Sequence, residues 1–332
     1  MMTTKDYVLY ALKKAGGFVS GGEISETLGI SRAAVHTAVK ALRNDGYRIA
    51  SSTNKGYRLA QSEERLVLGE LLPEIGLERG RGVTVLDCVD STNTYLRRLC
   101  ASGHAAVGDC VIADEQTGGK GRLGRKFESQ KGVGLYFSVR LEPKNVSPAE
   151  LAEITAWGAV ATAKAIEESC GIVCGIKWVN DLVCGNRKVC GILTEMSVEG
   201  ETGRIDSVIM GIGINVNHMA GDFSPEVEPI AVSLRQITGK RQSRLKLCAA
   251  LIRQIDRMRE EFPQGRERVL AEYRARCSVI GKTVWVEKGG ERQEAKALGI
   301  DDRFGLEVEY AGGTREILRG GEVSVRGFYG QK

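Results

Sequence analysis

Thirteen consecutive residues, Asp114-Glu115-Gln116-Thr117-Gly118-Gly119-Lys120-Gly121-Arg122-Leu123-Gly124-Arg125-Lys126, constrain this chain of 332 residues more than any other stretch. They follow the apolar run Cys110-Val111-Ile112-Ala113, which reads as a strand. Formally, Gly119-x-Gly121-x-x-Gly124 matches a dinucleotide fingerprint, but that fingerprint must open a helix, and Phe127 to Gly132 shows no helical period. A Walker loop fails as well, because Gly121 stands where Ser or Thr should follow Lys120. The spacing instead predicts a glycine loop that approaches a ligand closely and orders around an anion, with Lys120, Arg122 and Arg125 as donors to phosphate or carboxylate. Taken alone, the stretch also fits a solvated surface loop.

At ~100–200 residues per domain the length predicts two or three domains. No run approaches the ~20 apolar residues of a membrane span, so no membrane partner is expected. Met1 to Asp6 lacks the apolar core of a signal peptide, which predicts a cytoplasmic protein with its nine cysteines as thiols. Three histidines make His-dependent triads and His-rich metal sites poor candidates. The net charge of +5 is confined to one end. Residues 1–62 hold nine basic side chains against Asp6, Glu23, Glu26 and Asp45, while the rest of the chain balances, so a polyanion partner is expected for that end alone.

That basic end has a pattern of its own. Val8, Leu12 and Ala15 give a first helix over residues 6–15, Ser20 and Glu23 form a capping box for a second through Leu28, and Ser31 caps a third with Val35, Ala38, Val39 and Leu42 on its apolar face. Strands over Gly46–Ala50 and Tyr57–Leu59 follow, joined by a turn containing Lys55. Three helices and a two-stranded wing predict a winged helix-turn-helix, with Ser31, Arg32, His36, Thr37, Lys40 and Lys55 facing double-stranded DNA; a basic bundle that binds protein is the alternative.

Residues 61–68 read as a linker. Beyond it, strands are expected over 83–87, 110–113, 134–140, 174–177, 182–184, 189–194 and 207–215, and helices over 93–101 (capped by Ser91 or Thr92), 150–170, 244–262 and 265–276. A mixed sheet backed by helices follows. Past Cys277, short strands over 283–287, 294–300, 306–310, 314–318 and 322–326, punctuated by Gly-Gly pairs, predict an SH3-like barrel. The fold class is thus α+β, with a DNA-binding domain at 1–62, a catalytic domain at 63–276 and a C-terminal domain at 277–332. Cys170, Cys174, Cys184 and Cys190 raise a metal question, but their spacing lacks zinc knuckles, and buried thiols are expected with no metal site.

The ordered combination Ser91-Thr92-Asn93, Asp114 to Arg125, Lys177-Trp178-Val179-Asn180-Asp181, Arg187 to Leu193 and Gly211-Ile212-Gly213-Ile214-Asn215-Val216-Asn217 resembles the biotin protein ligases. With the winged helix in front, the chain is similar to the bacterial bifunctional ligases and biotin-operon repressors over nearly its whole length. The resemblance implies a class II synthetase-like central domain that uses ATP, Mg²⁺ and biotin, forms biotinoyl-5′-adenylate, and passes biotin to one lysine of a biotin carboxyl carrier protein, a subunit of acetyl-CoA carboxylase. It implies further that Ser91, Thr92, Asn93 and Gln116 contact biotin and that Lys120, Gly121 and Arg122 cover its chain and the phosphate. Lys188 would reach the biotin carboxylate, and Lys177, Asn180, Asn215 and Arg125 would lie at the adenylate. Arg122, Lys188 and Asp181 are the implied catalytic set, with Asp181 orienting Mg²⁺ or accepting a proton from the acceptor amine. The adenylate would act as corepressor, promoting a homodimer that binds operator DNA.

Many relatives carry Pro at the position of Val179, Trp near Phe127 and Pro near Gln130, so altered loop rigidity with retained chemistry is expected here. Two other functions fit the same residues: a biotin-responsive transcription factor without turnover, and a ligase for a related acyl group such as lipoate.

Overall fold

The computed structural model describes residues 2–60, 64–142, 151–198, 205–288, 291–320 and 322–325. Its contacts divide the chain into two units, Met1–Val85 and Leu86–Lys332.

In the first unit, helix α1 (Thr4–Ala15) begins at a capping box, Thr3 with Asp6, that the sequence reading overlooked. The expected Ser20–Glu23 box opens α2 (Gly21–Leu28), and Gly29 in the left-handed conformation closes it. Ser31 caps α3 (Arg32–Asn44) by accepting from the Ala34 amide. Val8, Leu9, Leu12, Ile24, Val35, Val39 and Leu42 form one core, each worth ~1.5–3 kcal/mol of burial.

The wing is an antiparallel pair, β1 (Ile49–Ser52) and β2 (Gly56–Leu59), with Ile49 opposite Leu59. The first strand therefore starts later than Gly46. The amides of Asp45, Gly46 and Tyr47 donate to the last carbonyls of α3, which withdraws them from any ladder. At the wing turn Gly56 sits at φ +86, and a Cβ there would lie 2.1 Å from the Val19 carbonyl oxygen, so only glycine fits. Beyond residues 61–63, which lie outside the described set, the expected linker gives way to α4 (Leu68–Ile75) and α5 (Leu77–Gly80). Helix α4 belongs to the first unit because the Gly69 amide donates to Asp6 and buried Glu70 pairs with Lys13.

Strand β3 (Val83–Leu86) carries the chain into the second unit. There follow α6 (Thr92–Ala101), β4 (Cys110–Ala113), a single 3₁₀ turn at Arg122–Gly124, β5 (Gly134–Leu141), α7 (Leu151–Cys170), β6 (Gly175–Lys177), β7 (Asp181–Cys184), β8 (Arg187–Val198), β9 (Ile205–Asn215), α8 (Leu234–Thr238), α9 (Arg244–Glu261) and α10 (Arg266–Arg276). The sheet order is β3-β4-β5-β9-β8-β7-β6, antiparallel in its pairings from β4 to β6, with parallel bridges at Val89–Gln116, Lys188–Ala231 and Ile176–Cys277. Strands β8 and β9 run further than the apolar pattern predicts because they stay paired from Cys190–Ile214 out to Val198–Ile205. Helices α7 and α9 pack on each other, and Trp157 of α7 meets Phe262 edge to face at 5.1 Å.

The last strands, β10 (Thr283–Lys288), β11 (Glu291–Ile300), β12 (Leu306–Tyr310), β13 (Arg315–Leu318) and β14 (Glu322–Val325), form an antiparallel sheet in the order β13-β12-β11-β10-β14. Arg326, the expected end of the final strand, lies outside the described residues. Trp178 ties this sheet to the turn between β6 and β7: its Nε1 donates to the Phe304 carbonyl at 2.8 Å, and Tyr273 packs edge-on against Phe304. Among the described residues no helix is long and apolar enough to cross a membrane. The α+β class, the helix-turn-helix and the central sheet are as expected from the sequence.

Candidate active site

A cavity of about 480 Å³, measured out to its mouth, opens over β5, β9 and β8 in the second unit. Glycines make room for it. A Cβ on Gly211 would lie 2.3 Å from Asn93 Oδ1, and one on Gly213 would lie 2.5 Å from the Phe127 ring. Phe127, Tyr136, Phe137, Ile192, Leu193 and Ile212 supply apolar wall, and burial pushes the Tyr136 phenol well above its ordinary pKa, keeping it neutral.

One end of the cavity is lined by the uncharged polar groups Ser91, Thr92, Asn93 and Gln116, with the ion pair Glu195–Arg97 behind Asn93. Ser138 Oγ donates to Asn93 Oδ1 at 2.6 Å and lies 2.7 Å from Thr92 Oγ1. Asn93 Nδ2 donates to Glu195 at 2.7 Å, and Arg97 pairs with the other oxygen of Glu195. Gln116 Oε1 accepts from the Thr92 amide, and its Nε2 donates to Ser129. Ser91 is only 3% exposed, yet α6 begins without a side-chain cap, so the helix-cap reading of Ser91 and Thr92 fails. This end suits a compact apolar body carrying a few hydrogen-bonding atoms.

The other end is cationic. Lys188 Nζ on β8 lies 2.6 Å from Asp181 Oδ1 on β7. Arg122 Nη1 donates to Asn180 Oδ1 at 2.8 Å, and Asn180 Nδ2 donates to the Ile192 carbonyl. The glycine loop closes on itself through a Lys120–Lys126 bridge and the Gly121 amide, which donates to the Arg125 carbonyl. Thus Ser91, Thr92, Asn93, Gln116, Lys120, Gly121, Arg122, Asn180 and Lys188 line one cavity, with Asp181 joined through Lys188. Besides Asp181, three expected residues stand outside its lining. Asn215 Nδ2 donates to the Lys188 carbonyl, Lys177 is buried opposite Asp181 in the β6–β7 register, and Arg125 is exposed on the loop. Sequence reasoning missed Ser138, Ser129 and Glu195. Ser138 was visible as the single polar residue in Leu135-Tyr136-Phe137-Ser138-Val139; Glu195 carried no signal.

Where β9 ends, fully buried His218 stacks on Phe223 with centroids 4.5 Å apart. Burial lowers its pKa from 6.5 to about 4, against the opposing charges of Asp222 and Glu128. The unfolded chain therefore takes up this proton first: the stability is present above pH 6.5 and is lost as pH falls toward 4. We expect His218→Phe to remove about 3 kcal/mol of acid destabilisation across that window, measured by urea unfolding at several pH values; an unchanged pH slope would place the acid sensitivity elsewhere.

In the first unit, Arg32, His36, Thr37 and Lys40 are exposed on α3 opposite its core face, and Lys55 is exposed on the wing turn. The Ser31 hydroxyl is engaged in capping α3. Arg43, although exposed, donates to the Ile49 carbonyl and fixes the wing to α3. Among the described residues no group of three metal-binding side chains comes together.

A profile described as the biotin/lipoate A/B protein ligase family matches residues 85–215, and one described as an HTH domain matches residues 4–58. The bifunctional ligase/repressor BirA of Bacillus subtilis is 34% identical over 317 residues, covering 94% of this chain and 96% of that protein. The bifunctional ligase/repressor BirA of Escherichia coli is 33% identical over 325 residues, covering 96% of each. Among solved structures, the biotin protein ligase from Aquifex aeolicus in complex with biotin and ATP is 31% identical, with a TM-score of 0.62, covering 74% of this chain and 98% of that one.

Proposed function

Because the chain belongs to the biotin/lipoate A/B protein ligase family and carries a helix-turn-helix domain ahead of the ligase domain, we infer that it is a biotin protein ligase that also represses transcription. It joins biotin to ATP, forming biotinoyl-5′-adenylate and pyrophosphate, and transfers biotin to one lysine of a biotin carboxyl carrier protein of acetyl-CoA carboxylase. The observation that carries this reading is one cavity with uncharged donors and acceptors at one end and Arg122 and Lys188 at the other, Lys188 being paired with Asp181 beyond the lining.

The chemistry needs no enzyme nucleophile. The biotin carboxylate attacks the α-phosphorus, so the protein must align two anions and stabilise charge on the phosphate oxygens. Ser91, Thr92, Asn93 and Gln116 take the ureido ring, and Lys120, Gly121 and Arg122 close over the valeryl chain and phosphate. Lys188 draws the carboxylate toward phosphorus. Lys177 and Asn215 brace the adenylate region from behind the cavity wall, Asn180 holds Arg122 in place, and Arg125 arrives as the loop closes. Mg²⁺ would accompany the triphosphate, neutralising its charge; Asp181, paired with Lys188, would be the carboxylate to hold it or to orient the acceptor amine. We assign DNA binding to residues 1–62, catalysis to 63–276 and carrier engagement to 277–332, although α4 at the start of the second stretch packs with the first unit, and we read the last sheet as an SH3-like module. The setting is the cytoplasm, where carrier and operator both reside.

Incubating the protein with biotin, Mg·ATP and a carrier domain should add a single biotin at one lysine, read by intact mass. No addition while biotin still binds would favour a sensor without turnover, and ATP consumption with lipoate in preference to biotin would favour the other acyl group. The 31% identical biotin protein ligase from Aquifex aeolicus, solved with biotin and ATP, supports biotin.

For the repressor half, the adenylate acts as corepressor and promotes a homodimer that places two copies of α3 on a two-half-site operator. Replacing Arg32 or Lys40 with Ala should weaken operator binding and lower the salt dependence by about one counterion per α3. Fluorescence anisotropy at several salt concentrations checks this, and sedimentation with and without biotin plus ATP checks the dimer. An unchanged salt slope would remove α3 from the interface.

A further inference from the structure

The cysteines that raised a metal question in the sequence form a different kind of site. Strands β6 and β7 pair Lys177 with Asp181, Ile176 with Leu182 and Gly175 with Val183, so the next step of the register sets Cys174 opposite Cys184. Their Sγ atoms lie 3.5 Å apart, with no side chain between them. A disulfide requires about 2.05 Å, a closure that small rotations about the two Cα–Cβ bonds can supply.

The two thiols are not equivalent. Cys184 is partly exposed beside the exposed turn Gly185-Asn186-Arg187, whereas Cys174 is fully buried. The hydrogen bond from Cys174 holds the Cys184 pKa below the ordinary thiol range, and the same bond together with burial pushes Cys174 up. One sulfur is thus reachable and prone to ionise, and the other is a shielded thiol in contact with it, the pairing that redox-responsive cysteines require. Cys190, by contrast, is buried on β8 with its thiol directed to the Gly191 carbonyl.

We propose that Cys184 and Cys174 form a reversible redox-modification site, in which Cys184 reduces a hydroperoxide and Cys174 resolves the product into a cross-strand disulfide. The Cys184 thiolate attacks the terminal peroxide oxygen. The O–O bond breaks, the departing alkoxide or hydroxide takes a proton, and Cys184 becomes a sulfenic acid. The Cys174 sulfur then attacks the Cys184 sulfur, the S–O bond breaks, and water leaves with the Cys174 proton. Two thiols and one hydroperoxide thereby give one disulfide, one water and one alcohol, or a second water from hydrogen peroxide. A thiol reductant reverses the bond by exchange. The cross-link closes the open end of the hairpin whose turn carries Asn180 and whose next residue is Asp181, three register steps from the Lys177–Asp181 pair.

The test treats the full chain with hydrogen peroxide, alkylates remaining thiols and maps tryptic peptides; cleavage after Lys177 separates the two cysteines. Before alkylation the expected product is about 2 Da lighter than the reduced chain and returns to the starting mass with dithiothreitol; it has two thiols fewer than the nine of the reduced chain and yields a Cys174–Cys184 linked peptide. Cys174→Ser should stop at a sulfenic acid on Cys184, trapped by dimedone, and Cys190→Ser should still form the bond. Oxidation confined to exposed Cys88, a disulfide joining any other pair, or an unlinked sulfinic acid on Cys184 in the wild-type chain would overturn the proposal.

Discussion

Lys188→Ala should lower biotin-dependent ATP–pyrophosphate exchange by ~10²–10³, the range found when a preorganised donor to a developing charge is removed. The loss has two sources. The ammonium proposed to bring the biotin carboxylate to the phosphorus is gone, and Asp181, whose side chain is 12% exposed and now faces no Lys188 cation, adds repulsion toward two incoming anions. The fold should survive, because Lys188 holds its neighbours through main-chain bonds: its amide donates to the Ile230 carbonyl and its carbonyl accepts from the Val232 amide. Circular dichroism and the exchange rate are the paired measurements. Exchange within about threefold of wild type, where the electrostatic argument demands far more, would remove Lys188 from the adenylation step.

Arg122→Gly should leave adenylate formation largely intact and destroy its retention. The guanidinium spans from the glycine loop to Asn180, and Asn180 is itself anchored on the Ile192 carbonyl. A hydrogen bond to a charged group is worth about 1.5–3 kcal/mol, so release of the adenylate should accelerate by roughly 10–10², and the added glycine loosens the loop further. Free adenylate acylates any accessible lysine. Incubation with excess serum albumin, biotin and Mg·ATP should therefore biotinylate albumin at several lysines with the variant and at almost none with wild type. Albumin left unlabelled while the carrier is labelled normally would show that another group retains the adenylate.

Much of the first unit was legible because its signals are local. A capping box, an apolar stripe and a terminal glycine act within a few residues, and α2 and α3 follow them closely. The wing strand was misplaced because the amides of Gly46 and Tyr47 serve the carbonyls of α3, a competition that residue-by-residue propensity does not register. Helix α4 was hidden for a related reason: Glu70 sits at its start as a buried charge, tolerable only because Lys13 of α1 meets it.

The cavity divides in the same way. The loop from Gly118 to Arg125 declared its chemistry through composition, since glycines and cations together serve anions. Nothing local distinguished Glu195 from an ordinary strand residue; its role exists only because β8 brings it to Asn93, 102 residues earlier in the chain. Likewise, residues 177–181 could be marked as belonging together, but that Asn215 and Lys177 stay outside the cavity lining while Asn180 joins it follows from strand pleat and register. By itself, then, the sequence determined most helices and strands, the basic end and most of the groups at the site, because caps, periodicity and charge are short-range properties. Only the tertiary structure decided which of those groups share one cavity and which thiols touch, because both depend on contacts between strands far apart in the chain.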